Sequence, residues 1–186
     1  MGMESSERPK LRAVLFDRDG TLVLDVPYNG DPCLVEPVTG AKPVLDAIRA
    51  SGLATGVVSN QSGIARGLVT PAQVAAVNRR VEEILGPFDV WEICPHGDGD
   101  GCSCRKPAPG MILSACRKLG IEPFEAALIG DIGADVGAAE AAGAAGVLVP
   151  TPVTRAEEVA TARMVAPSLA SAVVLLDEAG YLPAAP

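Results

Sequence analysis

The sequence predicts an α/β fold, a Rossmann-like three-layer α/β/α arrangement around a mainly parallel sheet, and three observations carry that expectation. Apolar runs of strand length alternate with segments of helical period, the pattern of a parallel sheet covered on both faces. Apolar residues make up 48% of the chain but aromatic ones only 3%, so Ala, Val and Leu must do most of the packing, which favours helices on a sheet over an aromatic-rich β fold. At 186 residues there is chain enough for one well-buried core and little left for a second domain. Residues 1–10 read as a polar N-terminal extension and 11–182 as a single domain.

The first strand is the apolar run opening at Leu11, which ends in Asp17-Arg18-Asp19-Gly20-Thr21. Residues two apart in an extended segment point the same way, so Asp17 and Asp19 can converge on one small volume. Two like charges so close call for a cation or a shared proton, and a metal is one answer; a polar turn capping the strand is the other. Leu22 to Lys42, rich in Pro, Gly and Asp, reads as a long loop, and its stretch Asp25 to Tyr28 is placed to hang over the aspartate pair. Pro43 to Ser51 reads as a helix stopped by Gly52, and Leu53 to Val58 as a second buried strand. That strand ends in Ser59, Asn60, Gln61, Ser62 and Gly63, whose hydroxyl and backbone N–H groups suit a phosphate, or equally a capped turn into a helix.

Thr70-Pro71-Ala72-Gln73 has the form of a capping box with Pro at the first helical position, opening a helix to about Leu85. Phe88 to Ile93 is the third strand, Pro109 to Leu119 a helix closed by Gly120, and Ala126 to Ile129 a strand before Gly130 and Asp131. Gly133 to Ala142 is an Ala-rich helix, Gly146 to Val149 the fifth strand, and about Ser168 to Ala179 the terminal helix. In such sheets ligands bind beyond the carboxyl ends of the strands, where the winding direction reverses. Asp17, Asp19, Ser59 and Asp131 all fall at such ends, with Lys106 just ahead of a helix.

The formal charge of −8 opposes general binding to nucleic acid or acidic membranes, so an anionic ligand must be met by a few local cations. The polar amino end lacks a signal-peptide core and no apolar run is long enough to span a bilayer, so a cytoplasmic chain is the expectation; separately, a monomer is expected rather than an oligomer. Three of the five cysteines crowd between Cys94 and Cys104, which in a reducing compartment speaks for metal more than for disulfides. Cys94, His96, Cys102 and Cys104 make a complete tetrahedral zinc set; with no open position the site would be structural, and free thiols are the alternative.

DRDGT, SNQSG, RKPAPGM and GDIGAD, in this order, resemble the motif set of the haloacid dehalogenase (HAD) superfamily of phosphohydrolases, over almost the whole span from Leu11 to Val149. The details SNQSGIARG and CPH ahead of CxCRKPxPGM look like the subgroup of heptose bisphosphate and histidinol phosphate phosphatases, which lacks a large inserted cap domain. The resemblance implies a Mg²⁺-dependent phosphatase of a small phosphorylated metabolite, either of those two or another sugar phosphate, working through an aspartyl phosphate. A zinc-stabilised binding domain without turnover is the alternative from another class.

Carried over residue by residue, the resemblance makes Asp17 the nucleophile and Asp19 the acid that protonates the leaving group and later the base that activates water. Asp17, Asp131 and the backbone carbonyl of Asp19 would hold Mg²⁺, with Thr21 and Asp135 in support. Lys106, the Ser59 hydroxyl and the Asn60 N–H would meet the phosphoryl oxygens. Asp25, Tyr28, Asn60, Gln61, Ser62 and Arg105 fall where this subgroup touches substrate, and the Cys94, His96, Cys102, Cys104 set would carry structural Zn²⁺ bracing the loop into Arg105 and Lys106. Relatives often carry Lys after the metal-binding Asp, where this chain has Ile132.

Overall fold

The structure, a computed structural model, describes residues 10–182; the expected polar extension 1–10 lies outside the described residues apart from Lys10. Five strands form one parallel sheet: β1 (Ala13–Phe16), β2 (Ala54–Asn60), β3 (Val90–Cys94), β4 (Ala126–Gly130) and β5 (Ala145–Leu148), in the order β3-β2-β1-β4-β5. All four pairings are parallel, with Phe16 opposite Val57 on one side and Ile129 on the other. β1 is central, every residue of it is buried, and the winding direction reverses between β1 and β4.

Strand alternation divides the interior into two cores. Val14, Phe16, Val57, Ala127, Ile129 and Val147 face one side, packing with Leu45 and Ile48 of α1 (Ala41–Ala50), Val81 and Leu85 of α2 (Pro71–Leu85), and Leu169 and Leu176 of α6 (Leu169–Glu178). Leu15, Val58, Ala126 and Leu128 face the other, against Met111, Ile112 and Ala115 of α3 (Gly110–Leu119) and Ala138 and Ala139 of α4 (Gly133–Ala142). The sandwich therefore has the three layers expected, with small Ala side chains letting α4 lie close to β5.

Several elements differ from the sequence expectation in ways that packing explains. α1 starts at Ala41, two residues ahead of Pro43, because a first-turn proline lacks only an N–H that has no helical acceptor anyway. β3 runs Val90–Cys94 rather than Phe88–Ile93. Phe88 stays in the preceding loop, packed edge-on to Trp91 at 5.4 Å and under the Arg49 guanidinium, which also holds the Leu85 and Pro87 carbonyls. Cys94 instead pairs with Asn60, carrying a metal-type side chain to the end of the sheet. The six-residue α5 (Ala156–Thr161) buries no residue and so had no apolar period to announce it. α2 has the capping box in full: Thr70 Oγ accepts from Gln73 N at 3.2 Å and Gln73 Oε1 from Thr70 N at 2.9 Å.

The long segment after β1 is folded rather than a solvated loop. Leu22 and Val23 are buried, Leu24 N donates to Glu36 O, and Val38 N to Leu22 O. A single 3-10 turn, Pro32–Leu34, interrupts it, and no inserted cap domain is present among the described residues. Nor is any described helix long and apolar enough to cross a membrane.

Candidate active site

Asp17 follows directly on β1, its N–H donating to the Ile129 carbonyl of β4, so its carboxylate leaves the sheet at the seam where the strand order reverses. Asp131 follows directly on β4, and Asp135 lies in the first turn of α4. One carboxylate oxygen from each of the three lies within 4.8 Å of the other two, and all three residues are buried. Two glycines permit this crowding. Gly20 has φ +79°, and a Cβ there would sit 2.3 Å from Asp131 Oδ2; one on Gly130 would sit 2.3 Å from the Asp135 side chain.

Lys106 reaches into the same volume, 3% exposed. Its Nζ lies 2.7 Å from Asp17 Oδ1, 2.7 Å from Asp135 Oδ1 and 2.8 Å from the Val58 carbonyl. Three donors meet three acceptors, which aims the ammonium. Its backbone is fixed as well, by Asn60, whose side-chain oxygen accepts from Lys106 N at 3.0 Å and whose nitrogen donates to Lys106 O at 3.1 Å. Thr21 Oγ donates to Asp131 Oδ1 at 3.2 Å, and Thr154 Oγ to the Asp131 carbonyl at 2.6 Å. Asp135 has two tasks, since its other oxygen accepts from Ile132 N at 3.1 Å and caps α4.

Burial raises the Asp17 carboxyl to about 7; Lys106 opposes the rise, and Asp135 and Asp19 add to it. Burial followed by repulsion from Asp135 lifts Asp131 to about 6, against the Thr21 hydroxyl. Burial alone would lower Lys106, but Asp135 and Asp17 outweigh it and hold the ammonium protonated well above its ordinary range. Three clustered carboxylates thus face one ammonium, a surplus of hard oxygen donors over positive charge that fits a small divalent cation.

Asp19 is held differently. Arg18, 1% exposed, forks onto it with Nε to Oδ1 at 3.0 Å and Nη2 to Oδ2 at 2.9 Å, while Nη1 reaches Asn78 Oδ1 of α2 at 2.7 Å. Gln61 Nε2 donates to Asp19 Oδ2 at 2.8 Å and to Ser59 Oγ at 3.0 Å. Above these residues opens a cleft of about 340 Å³, lined by Asp17, Asp19, Asp131 and Lys106 at its base and by Asp25, Tyr28, Asn60, Gln61 and Ser62 around it. Burial followed by the nearby Asp19 raises the Asp25 carboxyl, with Arg18 opposing. Tyr28 has φ 53° and packs against the Arg66 guanidinium at 5.8 Å.

Most of the expected site residues therefore come together, with two differences of detail. The Gln61 amide nitrogen engages Asp19 and Ser59, so it steadies the acid from within the cleft wall. Arg105 lines an adjoining groove beside Lys106, ion-paired to Asp98 and donating to the His96 carbonyl at 3.4 Å. Arg18, Asn78 and Thr154 were not anticipated from the sequence. For Arg18 a signal existed, a cation wedged between two acids at a strand end, but its partner Asn78 is 60 residues away.

A second cluster stands where β3 ends. Cys104 Sγ lies 3.1 Å from Cys94 Sγ, 3.5 Å from Cys102 Sγ and 3.2 Å from His96 Nδ1; Cys94 Sγ lies 3.8 Å from Cys102 and 3.6 Å from His96. No disulfide joins any of them. Thiolates about 2.3 Å from a tetrahedral zinc stand roughly 3.8 Å apart, and these separations come near that figure. Burial raises the Cys94 thiol and pushes Cys104 up to about 12, while hydrogen bonds, the Arg105 backbone first, overcome desolvation to bring Cys102 down to about 7.

A doubly wound sheet with a carboxylate cluster, a buried lysine and a strand-end hydroxyl beside its switch point is a constellation suited to phosphoryl chemistry. The HAD-hydrolase-like family model matches residues 103–172. The D-glycero-β-D-manno-heptose-1,7-bisphosphate 7-phosphatase of Escherichia coli K12 is 37% identical over 141 residues, covering 70% of this chain and 74% of that protein. The phosphatase of the same name from Mesorhizobium japonicum is 37% identical over 148 residues, covering 74% and 68%. Among solved structures, the D,D-heptose 1,7-bisphosphate phosphatase of B. bronchiseptica complexed with magnesium and phosphate superposes with a TM-score of 0.80 at 27% identity, covering 91% of this chain and 99% of that one. The chain belongs to the haloacid-dehalogenase-like family of phosphatases.

Proposed function

We propose that the chain hydrolyses the 7-phosphate of a D-glycero-D-manno-heptose 1,7-bisphosphate, with Mg²⁺, through an aspartyl phosphate on Asp17. The observation that carries this reading is the convergence of Asp17, Asp131, Asp135 and Lys106 at the switch point, in a chain whose curated relatives bear that activity in their names. A carboxylate of Asp17 attacks phosphorus as the bond to the sugar oxygen breaks, and Asp19 gives its proton to the departing alkoxide. Asp19 then takes a proton from the water that cleaves the acyl phosphate. Ser59 Oγ and the Asn60 N–H bind phosphoryl oxygens, and Lys106 offsets the charge that gathers on them.

Asp17, Asp131 and the Asp19 carbonyl would hold Mg²⁺, which supplies charge neutralisation at the phosphoryl group when bound. Asp25 and Tyr28 touch the sugar, and Arg105 meets the substrate beyond the transferring phosphate. Cys94, His96, Cys102 and Cys104 would hold a structural Zn²⁺. Its charge of −8 opposes a nucleic-acid or acidic-membrane partner and suits a chain acting on a small metabolite, read as cytoplasmic and monomeric.

The test is a steady-state comparison of heptose 1,7-bisphosphate, histidinol phosphate and fructose 1,6-bisphosphate with and without Mg²⁺. The heptose compound should lead by at least about tenfold in kcat/KM, a difference of about 1.4 kcal/mol in transition-state stabilisation. A flat profile overturns the substrate, and Mg²⁺-independent turnover overturns the mechanism.

A further inference from the structure

We propose that Arg18 is a positioning residue for the proton-transfer step, holding Asp19 in register with the leaving oxygen and anchored in turn by Asn78 on α2. The proposal rests on the acid-base role given to Asp19 above. Arg18 is the largest of the fully buried side chains, and burying a guanidinium is costly unless its donors are matched. Here the matching is specific. Two donors form a parallel fork on the two Asp19 oxygens and a third goes to Asn78, 60 residues along the chain, so the fork is tied to a helix.

The Asp19 side chain is 24% exposed, against 1% for Arg18, so the acid faces the cleft while being gripped from behind. Gln61 adds a third N–H to the carboxylate, on Oδ2, and ties it to Ser59 at the carboxyl end of β2. A carboxylate on a short side chain would otherwise rotate freely, and proton transfer depends on holding the donor within hydrogen-bond reach of its target. Lysine cannot replace the fork, because an ammonium is a point donor without a planar pair of N–H groups.

In the step concerned, an Asp17 oxygen bonds to phosphorus, the bond from phosphorus to the leaving oxygen breaks, and that oxygen takes a proton carried by Asp19 on Oδ1, which accepts one N–H where Oδ2 accepts two. An alkoxide needs this proton, whereas nitrophenolate is stable enough to leave without it. A residue that acts only by placing Asp19 must therefore matter more for a sugar phosphate than for p-nitrophenyl phosphate. Simple loss of structure would slow both alike.

The experiment is a single-turnover comparison, enzyme in excess with Mg²⁺, of alcohol release from the best sugar phosphate of the panel and nitrophenolate release from p-nitrophenyl phosphate. These conditions isolate the first phosphoryl transfer. Arg18→Lys should lower the ratio of the two rates at least about tenfold, towards the larger loss expected of Asp19→Asn. An unchanged ratio in a folded Arg18→Lys overturns the proposal. Should Arg18→Lys fail to fold, Asn78→Ala, on a half-buried position, should lower the same ratio about threefold through loss of one anchoring bond, and an unchanged ratio there overturns it equally. Asp19→Asn separates the two readings. If it leaves the ratio unchanged, the role of Asp19 falls and this inference with it; if it shifts the ratio and Arg18→Lys does not, only this inference falls.

Discussion

Lys106 is the residue on which the charges of the site balance. Buried beside Asp17 and Asp135, it is held protonated by them, and it works against the burial that raises Asp17 to about 7, favouring the carboxylate that the proposed nucleophilic attack requires. Replacing Asp17 by Asn keeps the shape and leaves Asp135 to pair the ammonium. Asp17→Asn should lower kcat on any good substrate by at least about 10³-fold while the metal-free melting temperature at pH 8 does not fall, because ionised Asp17 is itself a cost of burial. Parallel activity assays and thermal melts check this, and an active variant would remove Asp17 as the nucleophile. The acids and Ser59 were legible in the sequence because they lie at or just beyond a strand end or in a helix's first turn, whereas Lys106, in the loop between β3 and α3, was legible through the RKPAPGM motif. The Arg18 fork and the Asn60 clasp on Lys106 were not, since they depend on side chains meeting across 60 and 46 residues.

At the scale of elements, β3 and the loop after it matter most, because they carry both the thiol cluster and the two basic residues that follow it. Cys94 closes β3, and Cys104 immediately precedes Arg105 and Lys106. A zinc ion joining the ends of this loop would restrict the approach of Lys106 to the sheet, which Asn60 then completes. Metal analysis of protein purified without chelator should find about one zinc per chain, and Cys104→Ser should lose it, with a lower melting temperature and kcat/KM reduced about tenfold or more. Zinc-free wild type with full activity would sink the clip. That β3 starts two residues later than expected and ends one later, at Cys94, bears on this point. The expected strand opened at Phe88, but Arg49 claims that ring from the neighbouring helix, a tertiary effect that no local propensity contains.

Across the whole molecule, two apolar cores fix the sheet from both faces while its carboxyl edge holds the clustered acids, so the cost of crowding them there is met by the fold itself. That cost has a sign in pH. Asp17 at about 7 and Asp131 at about 6 both stand above the ordinary 3.8, so between about pH 4 and 7 the folded chain binds more protons than the unfolded one. Without a divalent cation, stability contributed by these groups must therefore fall as pH rises through that window, and the loss is complete above it. Asp46 and Glu158 shift the other way, the first lowered by its hydrogen bond from Lys42 and the second by that from Arg155, so they oppose the trend only at the acid end of the window, in the ordinary carboxylate range, while Cys102, lowered to about 7, opposes it above the window. Lys106 stays protonated throughout. A cation held by the ionised carboxylates reverses the trend, because it binds best where protons compete least. Melting temperatures measured without added divalent cation should thus decline from pH 5 to pH 7, and excess Mg²⁺ should raise them more at pH 7 than at pH 5. An equal rise at both pH values would mean that the ion is held elsewhere than by the buried acids at the end of β1 and β4.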